Sequence, residues 1–198
     1  MTLPFSPAAE NNKHAILEVL TGAFEEAKHV LEIGSGTGQH AVFFAQNLPH
    51  LRWTPSDIRP ALDGIRMRLA QEGPDNIMEP VLLDLVDPNW PVNQVDAIYS
   101  ANVVHIVSWP LVEALFDGVG NVLAPGGLLY LYGPYKYKGQ YTTESNANFD
   151  LWLKDRDPNS GIKDFEAVNA LALAQGLRLV QDHAMPANNQ LLVWRRDT

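Results

Sequence analysis

The amino-acid sequence predicts an α/β fold in which a mostly parallel sheet is covered by helices on both faces. Apolar, β-branched runs alternate with amphipathic stretches as far as residue 132, which is the pattern of right-handed β-α-β units. The apolar runs are nearly continuous, as expected for strands that are buried on both faces. A length of 198 residues matches one domain, so we treat residues 1–198 as a single domain.

The predicted elements follow in order along the chain. The strands lie at 28–33, 51–56, 79–84, 95–101, 127–132, 177–184 and 190–195. The helices lie at 10–26, 38–48, 60–72, 110–122, 146–154 and 164–175. Because residues 186–189 leave no room for a crossover helix, the last two strands form an antiparallel hairpin at a sheet edge. We expect residues 1–27 to form an N-terminal helix and lid, and residues 133–163 to form an insertion on the substrate side.

The charge balance and the cysteine content restrict the function. With 14 Lys and Arg residues against 23 Asp and Glu residues, the formal net charge is −9, which disfavours nucleic acid and anionic membranes as partners. The absence of cysteine excludes disulfides, thiolate metal sites and a cysteine nucleophile. No apolar run approaches the roughly 18 residues of a membrane-spanning helix, and the N-terminus lacks the pattern of a secretory signal. We therefore expect a cytoplasmic protein.

The sharpest local motif is a glycine-rich loop after the first strand. Gly34, Gly36 and Gly38 alternate with small residues between a buried strand and a predicted helix. Glycine permits positive φ angles and lets a ligand approach the backbone. A dinucleotide-binding loop would need Gly or Ala at position 39, where this chain has Gln39, and a Walker loop would need a following lysine. The pattern therefore disfavours both a dinucleotide and a nucleoside triphosphate.

Three acidic residues stand at the ends of neighbouring predicted strands. Glu32 precedes the glycine loop, Asp57 follows the second strand and Asp84 follows the third. Ligands of such sheets bind beyond these carboxyl ends, and an acid about 20 residues after the glycine loop is placed for ribose hydroxyls. Because carboxylates repel a pyrophosphate and attract an ammonium or sulfonium group, the set predicts a pocket for a cationic, phosphate-free nucleoside. The alternative is that the glycines only form a tight turn and the acids cap helices.

These residues, together with residues 123–128 before the fifth strand, resemble those of class I S-adenosylmethionine-dependent methyltransferases. Residues 7–13, 144–150 and 156–158 extend the resemblance, across most of the chain, to the uncharacterised methyltransferase-like 26 family. The resemblance implies a Rossmann-like, seven-stranded sheet of order 3-2-1-4-5-7-6 with strand 7 antiparallel. It also implies S-adenosyl-L-methionine as the cofactor.

The same resemblance assigns roles to individual residues. Glu32 would contact the methionine amino group, Asp57 the ribose hydroxyls and Asp84 the adenine amino group. The other implied cofactor contacts are Gly34, Ser35, Gly36, Gly38, Ile58, Leu85, Ala101 and Asn102. After the fourth strand the chain lacks the Asn/Asp-Pro-Pro-Tyr sequence that amino-directed nucleic-acid methyltransferases often carry, so it is nearer to the small-molecule enzymes.

Candidate residues for catalysis and substrate binding carry weaker signals. A methyl group on a sulfonium is already activated, so the main requirement is to align the acceptor. His105, shortly after the fourth strand, is the candidate general base because imidazole titrates near neutral pH, and the alternative is a loop histidine that packs locally. The further candidate substrate contacts, each with an alternative role in capping, surface or core, are Asn12, Lys13, Tyr135, Tyr137, Asn146, Asp150 and Arg156. The histidine spacing supports no metal site.

The sequence therefore predicts an enzyme that transfers a methyl group from S-adenosylmethionine directly to an unidentified small molecule. A protein or nucleic acid is the alternative acceptor. Nucleic acid would be favoured if four basic side chains converged on the mouth of the site, namely Lys136, Lys138, Lys154 and Arg156. A non-catalytic module that binds the cofactor is the second alternative, and an open space beside the sulfonium would favour the enzyme. The sequence does not indicate the oligomeric state.

Overall fold

A computed structural model of the chain describes residues 2–23 and 27–198. The helices are Pro7–Ala23 (α1), Gln39–Asn47 (α2), Arg59–Glu72 (α3), Trp109–Val122 (α4), Glu144–Arg156 (α5) and Phe165–Ala174 (α6). The strands are His29–Ile33 (β1), Arg52–Asp57 (β2), Val81–Leu82 (β3), Val95–Ala101 (β4), Leu123–Gly133 (β5), Lys136–Tyr137 (β6), Gln140–Tyr141 (β7), Leu177–Met185 (β8) and Asn189–Arg196 (β9). The predicted end of the first helix, residues 24–26, lies outside the described residues. Within the described ranges no helix combines the length and the hydropathy that crossing a bilayer requires.

Seven strands form one sheet in the order β3-β2-β1-β4-β5-β9-β8. Strands β1 to β5 pair in parallel, and β9 runs antiparallel to both β5 and β8. This is the predicted order, with the last two predicted strands observed as β8 and β9, so the α/β fold with one antiparallel strand is confirmed. Strands β6 and β7 form a separate small hairpin inside the insertion.

The alternation of side chains along the central strands creates a core on each face of the sheet. Val30 of β1 and Tyr99 of β4 pack in one hydrophobic cluster with residues of α1 and α2. Leu31 and Ile98, which are adjacent in sequence to Val30 and Tyr99, pack in the other cluster with residues of α4 and α6. Two-sided burial explains why these strands read as continuous apolar runs.

Two strands differ markedly in length from their predicted spans. Strand β3 covers only Val81–Leu82 of the predicted 79–84, because it is an edge strand and the preceding Pro80 has no backbone N–H to donate. Strand β5 begins at Leu123 instead of residue 127. Its pairing with β4 shifts in register between Val95 and Ala97, so an irregular first section extends the strand.

The packing of α4 gives a test of the fold. A Cβ at Gly118 would lie 2.0 Å from the Trp90 ring, whereas a Cβ at Gly22 of α1 would meet no atom within 4 Å. We expect Gly118→Ala to lower the free energy of unfolding by about 1–3 kcal/mol through overpacking, despite the higher helix propensity of alanine. The control Gly22→Ala should raise it by about 0.5–1 kcal/mol. Urea denaturation measures both values, and an equal gain in the two variants would contradict the packing described here.

Candidate active site

The glycine loop adopts a backbone that side chains resist. Gly34 and Gly36 have φ angles of 74° and 55°, in the left-handed region. A Cβ at Gly34 would lie 2.4 Å from Cγ2 of Val103, so the loop passes directly against the residue that follows β4 and Asn102. At Gly36 a Cβ would meet no atom within 4 Å. The loop therefore leaves open space on one side of Gly36, and that space belongs to a cavity.

Asp57, the last residue of β2, joins the glycine loop to the neighbouring strand end. Its Oδ2 accepts a hydrogen bond from Gly36 N at 2.7 Å, and its Oδ1 accepts one from Ile58 N at 2.7 Å. Burial raises the pKa of the Asp57 carboxyl, and these two backbone hydrogen bonds oppose the rise. The carboxylate is thus fixed at the rim of the sheet, beside the open space at Gly36.

A cavity of about 450 Å³ opens at this point, and we call it the glycine-loop cavity. Its volume lies in the range of roughly 300–1,000 Å³ that is usual for small-molecule sites. The predicted cofactor residues in its wall are Gly34, Ser35, Gly36, Asp57, Ile58, Leu85, Ala101 and Asn102. The structure therefore brings together residues from the ends of four strands, as the sequence predicts.

Three predicted cofactor residues lie outside this wall. Gly38 is the N-cap of α2. Asp84 is exposed, accepts a hydrogen bond from Val86 N at 3.2 Å and lines a neighbouring depression with Asp87. Leu83 and Leu85 line the cavity wall, whereas Asp84 between them does not.

Glu32 is the third of these residues, and it lies in the core. Its side chain is 2% exposed, and its Oε2 accepts a hydrogen bond from Trp53 Nε1 at 2.9 Å. Successive side chains of a strand point to opposite faces, so Ile33 lines the cavity while Glu32 packs beneath α2. Burial raises the pKa of Glu32 to about 7, and the nearby Asp57 carboxylate adds to the rise.

Residues that the sequence analysis did not single out complete the wall. They include Ser6, Ala9, Thr37, His40, Leu83, Val103, Ile106 and Val107. His40 belongs to no recognised motif. It lies in the first turn of α2, directly after the glycine loop, and this position alone would have indicated that it lies near the cavity. Burial lowers the pKa of His40 to about 4, so its ring is neutral at pH 7. Its Nε2–H donates to Asn12 Oδ1 at 2.7 Å, and its Nδ1 accepts from the Tyr99 hydroxyl at 3.2 Å.

The N-terminal segment lies against the outer side of the glycine loop. Ser6 N donates to Gln39 Oε1 at 2.5 Å. Arg68, which is 7% exposed, donates from Nε to the Thr37 carbonyl at 2.8 Å and from Nη2 to the Pro4 carbonyl at 2.6 Å. The residues before α1 are therefore tied to the same loop that forms the cavity.

A second cavity of about 390 Å³ lies on the other side of Asn102. We call it the asparagine cavity, because its wall includes Asn11, Asn12, Asn102, Asn146 and Asn189. Asn102 belongs to the walls of both cavities and has a φ angle of 60°, which asparagine tolerates better than most residues. Its backbone N–H donates to the Tyr132 carbonyl at 2.9 Å.

The predicted substrate contacts divide between this wall and other places. Asn12 and Asn146 line the asparagine cavity. Lys13 instead pairs with Glu10 at 2.5 Å and lies over the Phe43 ring of α2. The structure therefore does not place Lys13 in either cavity wall.

The two predicted tyrosines also lie away from the cavities. Tyr135 is 1% exposed and packs in the core, because the buried stretch that begins in β5 continues past the end of the strand to this residue. The Tyr137 hydroxyl donates to Asp182 at 2.7 Å, and the ring stacks on Phe165 of α6. Both tyrosines hold the insertion to the sheet, which corrects their assignment to an acceptor-binding wall.

Asp150 and Arg156 have structural partners instead of a place at the mouth. Asp150 is fully buried, and its carboxylate accepts hydrogen bonds from Tyr141 Oη, Lys154 Nζ and Ile162 N, each at 2.6 Å. Arg156 is exposed and lies over the Trp152 ring. These three bonds hold the carboxylate within the insertion, and Asp150 lines neither cavity, so its assignment as a substrate contact is corrected as well.

His105 lies behind the asparagine cavity and not in its wall. Its side chain is 4% exposed and contacts the Phe149 ring, with centroids 5.5 Å apart. A Cβ at Gly133 would lie 3.1 Å from His105 Nδ1, so the ring also packs against the end of β5. Burial lowers the pKa of His105 to about 4, which leaves the imidazole neutral and weakly basic at pH 7. Among the described residues no group of three His, Asp or Glu side chains is arranged to hold a metal ion.

Comparison with known sequences relates the chain to one family and to one enzyme. Residues 3–196 match the model of a family described as protein of unknown function (DUF938). A stretch of 60 residues is 38% identical to a protein-L-isoaspartate O-methyltransferase of Saccharophagus degradans, and it covers 30% of this chain and 26% of that relative. The match to the enzyme is therefore local, whereas the family model spans nearly the whole chain.

Solved structures of methyltransferases share the fold. An O-methyltransferase family protein from Burkholderia thailandensis has a TM-score of 0.82 at 16% identity, over 94% of this chain and 56% of its own. Human N-acetylserotonin methyltransferase in complex with SAM has a TM-score of 0.76 at 16% identity, over 94% and 55%. The chain thus spans little more than half the length of these structures.

The buried Glu32 predicts a dependence of stability on pH. Its folded-state pKa of about 7 lies above the ordinary value of 4.5, so between these pH values the folded protein binds a proton that the unfolded chain has lost. This contribution to wild-type stability is present at low pH and is lost as the pH rises to about 7. Glutamine does not titrate, so Glu32→Gln should gain up to about 3 kcal/mol relative to wild type between pH 4.5 and 8.

Urea denaturation of both proteins across this range measures the difference in unfolding free energy. All other titratable groups are common to both proteins, so their contributions cancel in the comparison. A difference that stays constant with pH would show that Glu32 is not protonated in the folded protein.

Proposed function

The chain belongs to the DUF938 family of unknown function, and we propose from this premise that it is an S-adenosylmethionine-dependent methyltransferase acting on a small molecule. The observation that carries the proposal is the glycine-loop cavity. Asp57 stands at its rim beside the open space at Gly36, and no Lys or Arg is present among the described residues of its wall. A carboxylate without a cation suits a positively charged nucleoside and disfavours a phosphate.

The residues of the cavity fit the parts of this cofactor. Asp57 keeps free lone pairs beyond its two backbone hydrogen bonds and would hold the ribose hydroxyls. Ile58, Leu83 and Leu85 give an apolar section of the wall that would enclose the adenine ring. Asn102, at the far end of β4, would lie toward the methionine end. Asp84 and Glu32 are not part of this proposal, because neither lines the cavity.

When bound, the cofactor would supply an activated methyl group: the S–CH₃ bond would break as the acceptor atom bonds to the methyl carbon, and S-adenosylhomocysteine would remain. The chain's part is to position the acceptor and to exclude water. The N-terminal segment, held by Gln39 and Arg68, acts as a lid over the cofactor. His105 is outside both cavity walls, so we do not assign it as a general base.

Two observations favour this function over the alternatives. The asparagine cavity shares Asn102 with the wall of the glycine-loop cavity, and this neighbouring space for an acceptor favours an enzyme over a binding module. The basic side chains of the insertion have other partners, because Lys136 pairs with Asp164 and Lys154 with Asp150. Arg156 lies over the Trp152 ring, and none of these basic residues is among the described residues that line the two cavities, which disfavours a nucleic acid as the acceptor.

Finer parts of the proposal rest on resemblance. The similar structures include O-methyltransferases, which supports an oxygen atom as the acceptor. The resemblance to the methyltransferase-like 26 family and a cytoplasmic location are predictions of the sequence alone.

The cofactor site has a matched test in two glycines. Gly36 and Gly139 both have positive φ angles, and a Cβ at either position would meet no atom within 4 Å. A valine therefore strains the backbone similarly at both positions, but only at Gly36 does it enter the cavity. Isothermal titration with S-adenosylhomocysteine should show that Gly36→Val weakens binding about tenfold or more, whereas Gly139→Val binds like wild type. The cofactor assignment is wrong if the wild-type protein does not bind.

Methyl transfer itself can be detected without knowing the acceptor. Incubation with S-adenosylmethionine carrying an isotopically labelled methyl group, together with a fractionated metabolite extract, should give a labelled product of low molecular mass. Gly36→Val should give none, and Gly139→Val should give as much as wild type. Label found on macromolecules would point to the first alternative acceptor. Cofactor binding without any labelled product would point to a non-catalytic module.

A further inference from the structure

The geometry points to the asparagine cavity as the acceptor site, and its chemistry selects a neutral, hydrogen-bonding ring compound over a charged one. The inference rests on the proposed methyltransferase function, because it takes Asn102, which lines both cavities, as the place beside which the methyl group would be transferred. A volume of about 390 Å³ is enough for a compound of one or two rings.

The wall of this cavity is polar but carries no formal charge. Its polar side chains are amides and hydroxyls, and none of the described residues in the wall is Asp, Glu, Lys, Arg or His. A charged group that is buried without a partner loses its hydration and gains nothing in return. An amide offers both a donor and an acceptor, so this wall can pair with hydroxyl, carbonyl or amide groups of a neutral molecule.

Some of these amides are used by the protein and others are free for a ligand. Asn12 Oδ1 is taken by His40, and Asn146 Nδ2 donates to Thr142 Oγ1 and to the Asn188 carbonyl, both at 2.9 Å. The Oδ1 atom of Asn146 makes no hydrogen bond with any described residue. The same holds for the side chain of Asn102. The ligand would therefore meet a carbonyl oxygen from α5 and a complete amide from the end of β4.

The charged residues of the same helices point elsewhere. On α1, Ala8, Asn11 and Asn12 share the face toward the cavity, while Glu10 and Lys13 pair with each other on another face. The absence of charge in the wall is thus a consequence of helix orientation and not of a neutral neighbourhood.

The opposite part of the wall favours a flat molecule. Phe149 and Tyr132 contribute aromatic rings, and Pro134 and Pro186 contribute rigid apolar surfaces. Aromatic rings pack against other rings in stacked or edge-on arrangements. A planar acceptor with polar substituents would satisfy both parts of the wall.

A set of three probes with one ring and different charge tests the inference. Benzamide is neutral, benzoate is an anion and benzylamine is a cation at pH 7. Ligand-observed NMR titrations, with and without saturating S-adenosylhomocysteine, should show benzamide binding at least tenfold more tightly than either charged probe. Equal or tighter binding of a charged probe, or no binding of benzamide in either series, would overturn the inference.

Three variants locate the binding and test the role of charge. Ala8→Phe places a ring at the wall and should abolish benzamide binding, whereas Ala170→Phe, at an exposed alanine of α6, should not change it. Asn11→Asp adds a carboxylate of the same shape and should shift the preference from benzamide to benzylamine. Unchanged benzamide binding by Ala8→Phe would place the probe elsewhere and refute the site.

Calorimetry with S-adenosylhomocysteine on the same proteins distinguishes a failure of the cofactor assignment from a failure of the acceptor inference. If S-adenosylhomocysteine binds but the protein does not prefer benzamide over the charged probes, only the acceptor inference fails. If it does not bind, the cofactor assignment fails, and the probe titrations in its absence still decide whether the asparagine cavity selects neutral rings.

Discussion

The site depends on the pair of hydrogen bonds that the Asp57 carboxylate accepts from Gly36 and Ile58. The bond from Gly36 ties the glycine loop, which follows β1, to the end of β2, and the bond from the adjacent Ile58 fixes the orientation of the carboxylate, so that two separate strand ends form one rim. Burial of the Asp57 carboxylate raises its pKa, because burial disfavours the charged form, and the two backbone N–H groups oppose this rise. A carboxylate fixed in this way needs no reorganisation to meet a ribose, which makes the rim a preformed binding edge.

The same loop also carries the N-terminal segment. Arg68 donates to the Thr37 carbonyl within the loop and to the Pro4 carbonyl before α1, and Gln39 receives Ser6 N. Gln39, which occupies the position where a dinucleotide-binding loop would need Gly or Ala, therefore has a structural role in this chain. The glycine loop, the N-terminal segment and α3 are connected through partly buried polar contacts, so a change at Arg68 would affect the cavity although Arg68 is not in its wall.

How far the sequence predicts this site follows from the range of the interactions involved. The glycine loop and Asp57 were predicted correctly as neighbours because local backbone conformation and strand order determine their place. Asp150 was predicted poorly because its partners, Tyr141 and Ile162, come together only when the insertion packs. Asp84 was predicted to be in the wall on the assumption of a full third strand, and the short edge strand places Leu85 there instead. Residue type suggested chemistry in each case, but long-range packing decided between a ligand contact and a structural one.

The two cavities differ in charge, and this difference explains why one residue can separate them. The glycine-loop cavity holds the carboxylate of Asp57, whereas the described wall of the asparagine cavity is neutral. For the cationic and the neutral ligand proposed above, a shared side chain should be uncharged and should offer both a donor and an acceptor, which an amide does. It must also follow a strand that ends at the rim and turn the chain sharply into the next loop. Asn102, with its φ angle of 60° and its backbone bond to Tyr132, meets each of these requirements, so an alanine at this position would lose both the backbone tolerance and the shared polar contact.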